Sequence, residues 1–405
     1  MIKIAILGYG VVGSGVVSVL ERNRELITQN AGQEIQVKYI LDIRDFSDSP
    51  HHALFAKDFD KIVNDPEVKI IVEVIGGTSA ALDYTRKSLA AGKSVISSNK
   101  ELVAEYGNEL MNIAAEKGVN YLFEASVGGA IPIIRPLVQC MTANIISEIY
   151  GILNGTTNYI LTSMEKNGAR YSAALVEAQK KGYAESDPTS DVEGHDTCRK
   201  ICILSSIAFG KHIHPQYVQT QGIKEIEVAD IHMSKSLGYK IKLLGRSRLT
   251  GDKILVFVSP HLVSDHSVFS GIDDVMNAAV IRGNASGDIV LCGAGAGKLP
   301  TASAVVADII DAVRHMHSRR WIGWTEGGKE NLGDHRLLES AWYIRTNAPK
   351  EKIKREFGAV ILAPTDQNNP TETAFITSVI NENKLDYLLS RDITALSKFR
   401  ILGDY

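Results

Sequence analysis

The chain has 405 residues, 44% of them hydrophobic and 22% charged, a globular composition too long for one ordinary core, so two or three domains are expected. Its formal net charge of -3 and pI near 6.4 give no general field for polyanions, which argues against nucleic acid and for a small polar ligand. No apolar run approaches the ~20 residues of a bilayer crossing, so no membrane association is expected. Met1 to Leu7 breaks at once into glycines instead of continuing as an export signal, and the expected location is the cytoplasm. Cys140, Cys198, Cys202 and Cys292 form no CxxC motif and are expected as reduced core residues.

Residues 2 to 7 are an apolar run, followed by Gly8-Tyr9-Gly10-Val11-Val12-Gly13-Ser14-Gly15 and a helical pattern on Val16, Val17 and Leu20. Strand, glycine turn and helix in that order suit a dinucleotide. One glycine permits the tight turn, the next lets backbone approach a pyrophosphate, and the third lets helix pack on strand. The helix N-terminus offers unpaired N–H groups and a positive dipole end to the phosphates. A tight turn that binds nothing is the plainer alternative. Gln36 to Leu41, Val68 to Ile75, a helix near Ala80 to Ala90 and Lys93 to Ser97 continue the alternation, which means a parallel sheet. Asp42 closes the second strand, where an acid takes ribose hydroxyls and signals NAD, whereas Arg44 suits a 2′-phosphate. The choice between NAD and NADP stays open here. Ile75 and Lys100 each fall at a strand's carboxyl end, where ligands bind in such sheets.

Four polar stretches interrupt the middle third: Glu124 to Pro132, Gly151 to Tyr159, Gly182 to Pro188, and Asp191 to Asp196 leading to Lys200. From about His195 to Phe209 the pattern is helical, and Asp196 and Lys200 fall on its apolar stripe at i, i+4 spacing. Burying charges costs several kcal/mol, on the order of what an ordinary fold avoids, so the pair reads either as a site or as a structural ion pair. A lysine there can exchange the hydroxyl proton that hydride transfer from an alcohol requires. Gly293 to Gly297 forms a second glycine turn before a helix from Thr301, suited to an anion or to the nicotinamide end of a cofactor. The pairs His51-His52, His212 with His214, and His315 with His317 show no third and fourth ligands at recognisable spacing and sit in polar segments expected to be exposed, so zinc is given little weight.

After His317 the elements shorten. Ala341 to Thr346, Ala359 to Ala363, Thr373 to Val379 and Phe399 to Ile401 read as strands, with helices at Lys350 to Phe357 and Lys384 to Ser390. The order βαββαβ is that of a ferredoxin-like module.

In chain order, Gly10-Val-Val-Gly13, Asn99-Lys100, Glu124-Ala-Ser-Val-Gly-Gly129, Asn154-Gly-Thr-Thr-Asn-Tyr-Ile-Leu161 and the run from Gly182-Tyr-Ala-Glu185 through Asp191 and Asp196 to Lys200 resemble homoserine dehydrogenase, over residues 1 to about 315. The resemblance implies reversible, NAD- or NADP-linked interconversion of L-homoserine and L-aspartate 4-semialdehyde in threonine and methionine biosynthesis. It implies that Glu185 and Asp196 bind the amino-acid substrate, that Lys200 exchanges the proton, that Lys100 lies between cofactor and substrate, and that Asp191 orients the lysines. It implies cofactor contacts at Gly8, Gly10, Val12, Gly13, Asp42, Arg44, Ile75, Lys100, Gly182 and Gly297. Main-chain carbonyls of Glu124, Val127, Gly129 and Ile131 match positions that hold a structural Na⁺ or K⁺. The last module resembles an ACT domain, without the usual Pro-Gly-Val-Leu start of its first helix, which raises L-threonine as an effector against a purely oligomerising role. A homodimer or homotetramer is expected on the same ground.

The expected architecture is therefore α/β. It comprises a Rossmann-like nucleotide domain at 1–125 completed by a helix at about 301–317, an α+β catalytic and dimerisation domain at 126–300, and a ferredoxin-like, ACT-like module at 335–405. The rival enzyme is another Rossmann-fold alcohol or sugar dehydrogenase with a lysine acid/base, which leaves the paired acids Glu185 and Asp196 unexplained. The rival outside enzymes is a catalytically silent, nucleotide-sensing regulator.

Overall fold

Alternating apolar strands and amphipathic helices build the first sheet. The computed structural model describes residues 1–318 and 323–403. It places β1 (Ile2–Leu7), α1 (Val11–Arg22), α2 (Arg24–Ala31), β2 (Ile35–Leu41), β3 (Phe55–Ala56), α3 (Phe59–Val63), β4 (Val68–Glu73), α4 (Ser79–Ala90), β5 (Ser94–Ser97), α5 (Lys100–Lys117) and β6 (Tyr121–Leu122) in succession. The strands pair in the order β3-β2-β1-β4-β5-β6, parallel throughout. The order reverses between β1 and β4, and the crevice at their carboxyl ends is where such sheets bind ligands.

The chain then runs through β7 (Ile146–Ile152), α6 (Gly155–Asn167), α7 (Tyr171–Lys180), α8 (Thr189–Val192), α9 (His195–Phe209), β8 (Gln219–Thr220), α10 (Val228–Ser236), β9 (Tyr239–Thr250), β10 (Lys253–Ser264) and β11 (Met276–Gly283). The long β9–β10 hairpin turns on Gly251-Asp252, with Thr250 opposite Lys253 and Gly251 at φ 61°, the left-handed conformation that two-residue hairpin turns demand. After β12 (Gly287–Ala294) and α11 (Lys298–Arg314) come β13 (Trp342–Thr346), α12 (Lys350–Phe357), β14 (Ile361–Leu362), β15 (Thr373–Ile376), α13 (Glu382–Leu389) and β16 (Ala395–Ile401). Among the described residues no helix is long and apolar enough to cross a membrane.

The chain divides into two compact units. The first contains residues 1–146, 202–216 and 283–328; the second contains 147–201, 217–282 and 329–405. In the first, α11 supplies Ala302, Val305, Val306, Ile309 and Val313 to a core shared with Ile4, Ile6, Val16, Val17, Ile70 and Val72. In the second, the mixed sheet runs β11-β7-β9-β10-β16-β13-β15-β14.

The expected βαββαβ order of the last module is present. Its strands pair antiparallel as β16-β13-β15-β14 over a core of Trp342, Ile344, Ile353, Phe375 and Leu385. It is not a separate body, because β16 pairs in parallel with β10, Arg400 opposite His261 and Ile401 opposite Leu262. A charged joint reinforces that pairing. Buried Arg345 on β13 donates to Asp230 Oδ1 on α10 at 2.8 Å, to Glu227 Oε2 at 2.7 Å and to Glu372 Oε2 at 2.7 Å. Burial works against the guanidinium charge, but the hydrogen-bonded carboxylates outweigh it and push its pKa up. The cysteine expectation holds for buried Cys198 and Cys202 and fails for Cys140 and Cys292, which are exposed. Cys140 ends a short π-helical turn and Cys292 lies on β12, whose residues alternate between exposed and half-buried.

Candidate active site

In the first unit, glycine is required by backbone crowding at the turn after β1. A Cβ on Gly8, at φ +100°, would lie 2.8 Å from the Val74 carbonyl oxygen, and one on Gly13 would lie 2.0 Å from the Gly8 carbonyl oxygen. At Gly10 an added Cβ would meet Arg44 Nη2 at 3.7 Å, an ordinary contact, so room remains there for a ligand. Gly10 is also the N-cap of α1 and offers no side-chain cap, leaving the first-turn N–H groups, Val12's among them, available to phosphate oxygens. Gly15 has a different task. Its Cβ would come 2.7 Å from the Lys298 carbonyl oxygen, so it lets α11 close on α1.

Beside this turn lies a cavity of about 440 Å³ lined by Gly8, Leu41, Asp42, Lys57, Ile75 and Tyr84. Asp42 Oδ2 accepts from the Tyr9 N–H at 2.7 Å and from Arg44 Nη2 at 2.8 Å, while Oδ1 accepts from Arg44 N–H and Nε, each at 3.0 Å. Hydrogen bonds from Arg44 hold the Asp42 carboxyl down at about 2. The residues that pulled toward different nicotinamides thus form one ion pair.

A buried relay joins the next two strand ends. Glu73 Oε1 accepts from the Ile75 N–H at 2.8 Å, and Oε2 accepts from Ser97 Oγ at 2.6 Å. Asn99 donates from Nδ2 to the carbonyls of Ile75 at 3.2 Å and Gly77 at 2.6 Å, and its Oδ1 caps α5 by accepting from the Leu102 N–H at 3.1 Å. Lys100 is the first residue of that capped helix. Burial pushes the fully enclosed Glu73 carboxyl up to about 7. Because the folded state holds this proton above the ordinary carboxyl range, Glu73 favours folding at low pH, and its contribution is lost as pH rises from about 4.5 to about 7. Glu73→Gln is expected to flatten that part of the stability profile, by up to about 3 kcal/mol. Thermal unfolding of both proteins across the window checks this; parallel profiles would contradict it.

The second unit brings three expected residues together. Lys200 Nζ lies 2.8 Å from Asp196 Oδ2 and donates to the Leu153 carbonyl at 2.8 Å. Both side chains are buried, 10% and 4% exposed. Asn154 Nδ2 donates to Asp196 Oδ2 at 2.8 Å and to Asp191 Oδ1 at 2.6 Å, while its Oδ1 caps α6 through the Thr157 N–H. Asn154 opens one of the motifs that carry the resemblance but has no role assigned from sequence; an Asn directly before Gly155 and a helical run signals the helix cap. Gly182, at φ 74°, follows α7, and Thr156 Oγ1 holds the Tyr183 carbonyl at 2.6 Å. Glu185 is exposed, its own carbonyl accepting from Gln179 at 3.0 Å. Among the described residues it makes no hydrogen bond with Lys200, Asp191 or Asp196.

Again in the first unit, the Glu124 carboxylate accepts from the N–H groups of Ile133, Ile134 and Arg135 at 2.7, 2.8 and 2.7 Å, and burial pushes its pKa up. The loop's turn bonds use the carbonyls of Phe123 and Gly128, and Ala130 N–H donates to Ala294. The carbonyls of Glu124, Val127, Gly129 and Ile131 are not the acceptors in those bonds. Gly129, at φ +58°, would place a Cβ 2.5 Å from the Gly295 carbonyl oxygen. Gly297, at φ +121°, is the N-cap of α11. The histidine expectation needs correcting at one pair: His212 is buried, not exposed, and Glu326 adds a third donor from a distant part of the chain.

Comparison with known proteins gives the family. A family model described as homoserine dehydrogenase matches residues 132–310, and one described as the homoserine dehydrogenase NAD-binding domain matches residues 8–124. A homoserine dehydrogenase of Pseudomonas aeruginosa is 41% identical over 356 residues, covering 86% of this chain and 82% of its own. The crystal structure of a homoserine dehydrogenase from Thiobacillus denitrificans superposes with a TM-score of 0.87 at 36% identity, covering 99% of this chain and 98% of the other. A hyperthermophilic archaeal homoserine dehydrogenase in complex with NADPH superposes with a TM-score of 0.65 at 27% identity, covering 77% of this chain and 97% of the other. With a parallel nucleotide-binding sheet in one unit and a buried lysine–carboxylate cluster in the other, the chain belongs to the homoserine dehydrogenases, NAD(P)-dependent oxidoreductases that act on an alcohol group.

Proposed function

We propose that Lys200 exchanges the hydroxyl proton while L-homoserine and L-aspartate 4-semialdehyde interconvert, and that Glu185 and Asp196 receive the substrate's ammonium. The observation that carries this is the donor arrangement at Lys200. Two of its three ammonium directions are taken by Asp196 and the Leu153 carbonyl, leaving a third for the substrate oxygen. Asp191 acts through Asn154, which fixes both carboxylates. Lys100 is assigned to the cofactor and the proton-transfer step on resemblance. A bound nicotinamide supplies or accepts the hydride, and its pyrophosphate is held by the first turn of α1. Gly182 and Gly297 are assigned to the cofactor on resemblance.

The main-chain carbonyls of Glu124, Val127, Gly129 and Ile131 are assigned on resemblance to a structural Na⁺ or K⁺, a hard cation that takes oxygen donors. The last module is assigned as ACT-like, with L-threonine as its effector. Initial rates with millimolar L-threonine test this, and unchanged rates would remove it.

The primary experiment is oxidation of L-homoserine with NAD⁺ and NADP⁺ in parallel. No cofactor reduction with either would overturn the reaction. For cofactor choice, Arg44 neutralises Asp42 at the edge of the cavity and Lys57 adds a positive charge to its lining, so NADP is accepted as well as NAD. Arg44→Ala is expected to raise the KM for NADP⁺ by about 10- to 100-fold, the worth of one hydrogen bond to a charged group, with little change for NAD⁺. Equal changes for both cofactors would count against the assignment.

A further inference from the structure

His212, His214 and Glu326 lie in the first unit, and one potential ligand atom from each falls within 4.8 Å of the other two. His214 Nε2 is 3.4 Å from Glu326 Oε1. Two ligands of a tetrahedral zinc ion, each bound at about 2.0–2.1 Å, stand about 3.3 Å apart, so this edge already has the right length. The imidazoles of His212 and His214 lie with centroids 4.0 Å apart.

The supporting contacts are those of a ligand shell. His212 Nε2 lies 2.8 Å from the Ala104 carbonyl; a carbonyl only accepts, so Nε2 carries the hydrogen and Nδ1 keeps its lone pair. Asn108 Nδ2 donates to Glu326 Oε2 at 2.6 Å. Metal-binding imidazoles and carboxylates are oriented in this way by groups behind them. Both supports come from α5.

Backbone fixes the remaining degrees of freedom. His212 N–H donates to the Thr325 carbonyl at 2.9 Å, and Thr325 N–H donates to the Gly210 carbonyl at 3.0 Å. Gly327 lies so close that a Cβ would come 2.5 Å from the His212 carbonyl oxygen, and Trp324 packs where a Cβ on Gly107 would be 2.5 Å from its ring. Two segments far apart in sequence are therefore held in register with their donors converging. Glu326 is largely exposed, 71%, so an ion can reach the cluster from solvent and the carboxylate can swing to close it.

We propose that His212, His214 and Glu326 bind one divalent transition-metal ion of the zinc class, with solvent completing the shell. The ion pins residues 323–328 to α5, the helix that begins with Lys100. Imidazole and carboxylate donors favour Zn²⁺, Co²⁺ or Ni²⁺ over Mg²⁺, which prefers oxygen ligands.

The test uses full-length, chelator-stripped protein with Cys140 and Cys292 alkylated. Calorimetric titration with Zn²⁺ is expected to show one saturable site per chain, with a rise in Tm that Mg²⁺ does not produce. Glu326→Gln and His214→Ala are each expected to weaken binding by more than about tenfold, and Asn108→Ala by about tenfold, the usual cost of losing a group behind a ligand. His51→Ala with His52→Ala is expected to change nothing. Absence of a one-per-chain site, or a site of unchanged affinity in Glu326→Gln and His214→Ala, would overturn the proposal.

Discussion

Lys200→Ala is expected to lower kcat for L-homoserine oxidation by about 10²- to 10⁴-fold, the usual worth of a positioned proton donor or acceptor, while cofactor affinity stays within a few-fold. Lys200 is in the second unit and the glycine turn in the first, which is why the two measurements should separate. A structural role would also damage the variant, because Asp196 is buried and would lose its cation. Removing one partner of such a pair costs about 3–5 kcal/mol. The double variant Lys200→Met with Asp196→Leu distinguishes these readings. Replacing both charges by apolar groups of similar volume is close to neutral for stability, so Tm should return toward wild type while kcat does not. Recovery of kcat together with Tm would make the pair structural and the chemistry wrong.

Arg345→Ala should cost stability on the same scale, about 3–5 kcal/mol. Asp230 is fully buried and takes hydrogen bonds from Arg345, Tyr343 at 3.4 Å and Ser397. Without the guanidinium its charge is enclosed by neutral donors alone. Glu227 is well exposed, so losing that contact should matter little. Arg345→Lys keeps the charge but cannot reach Asp230, Glu227 and Glu372 from one planar fork, and an intermediate loss is expected. Denaturant unfolding of the three proteins checks the ranking. An Arg345→Ala curve that superimposes on wild type would show that the joint contributes nothing.

Side chains with local rules were legible in the sequence. Gly8 and Gly13 stand where backbone crowding requires them, and the i, i+4 spacing of Asp196 and Lys200 is a direct contact. Asp42 and Arg44 each suit a cofactor by position, but that they satisfy each other depends on how the chain turns after β2, which no spacing rule states. The Gly251-Asp252 turn is a local signal for a hairpin, but the strands between residues 219 and 283 lie outside the elements expected from sequence. The pairing of β16 with β10 had no signal to find. Backbone hydrogen bonds leave no mark on side-chain identity, and a module with a complete βαββαβ pattern looks self-sufficient. Glu326 was invisible for a related reason: its partners are near in space and distant in sequence.

The closeness of Gly15 to Lys298 and Ala302 bears on how the protein comes into being at the ribosome. The first unit begins with β1, yet its core needs α11, which emerges only after β7 to β11 of the other unit. One unit is thus interrupted by the birth of another. Contacts this remote in sequence close slowly, and until they close, apolar faces of α1 and β1 stay exposed to neighbouring chains. Efficient synthesis should therefore depend more on temperature and chaperone supply than the finished protein's stability would suggest.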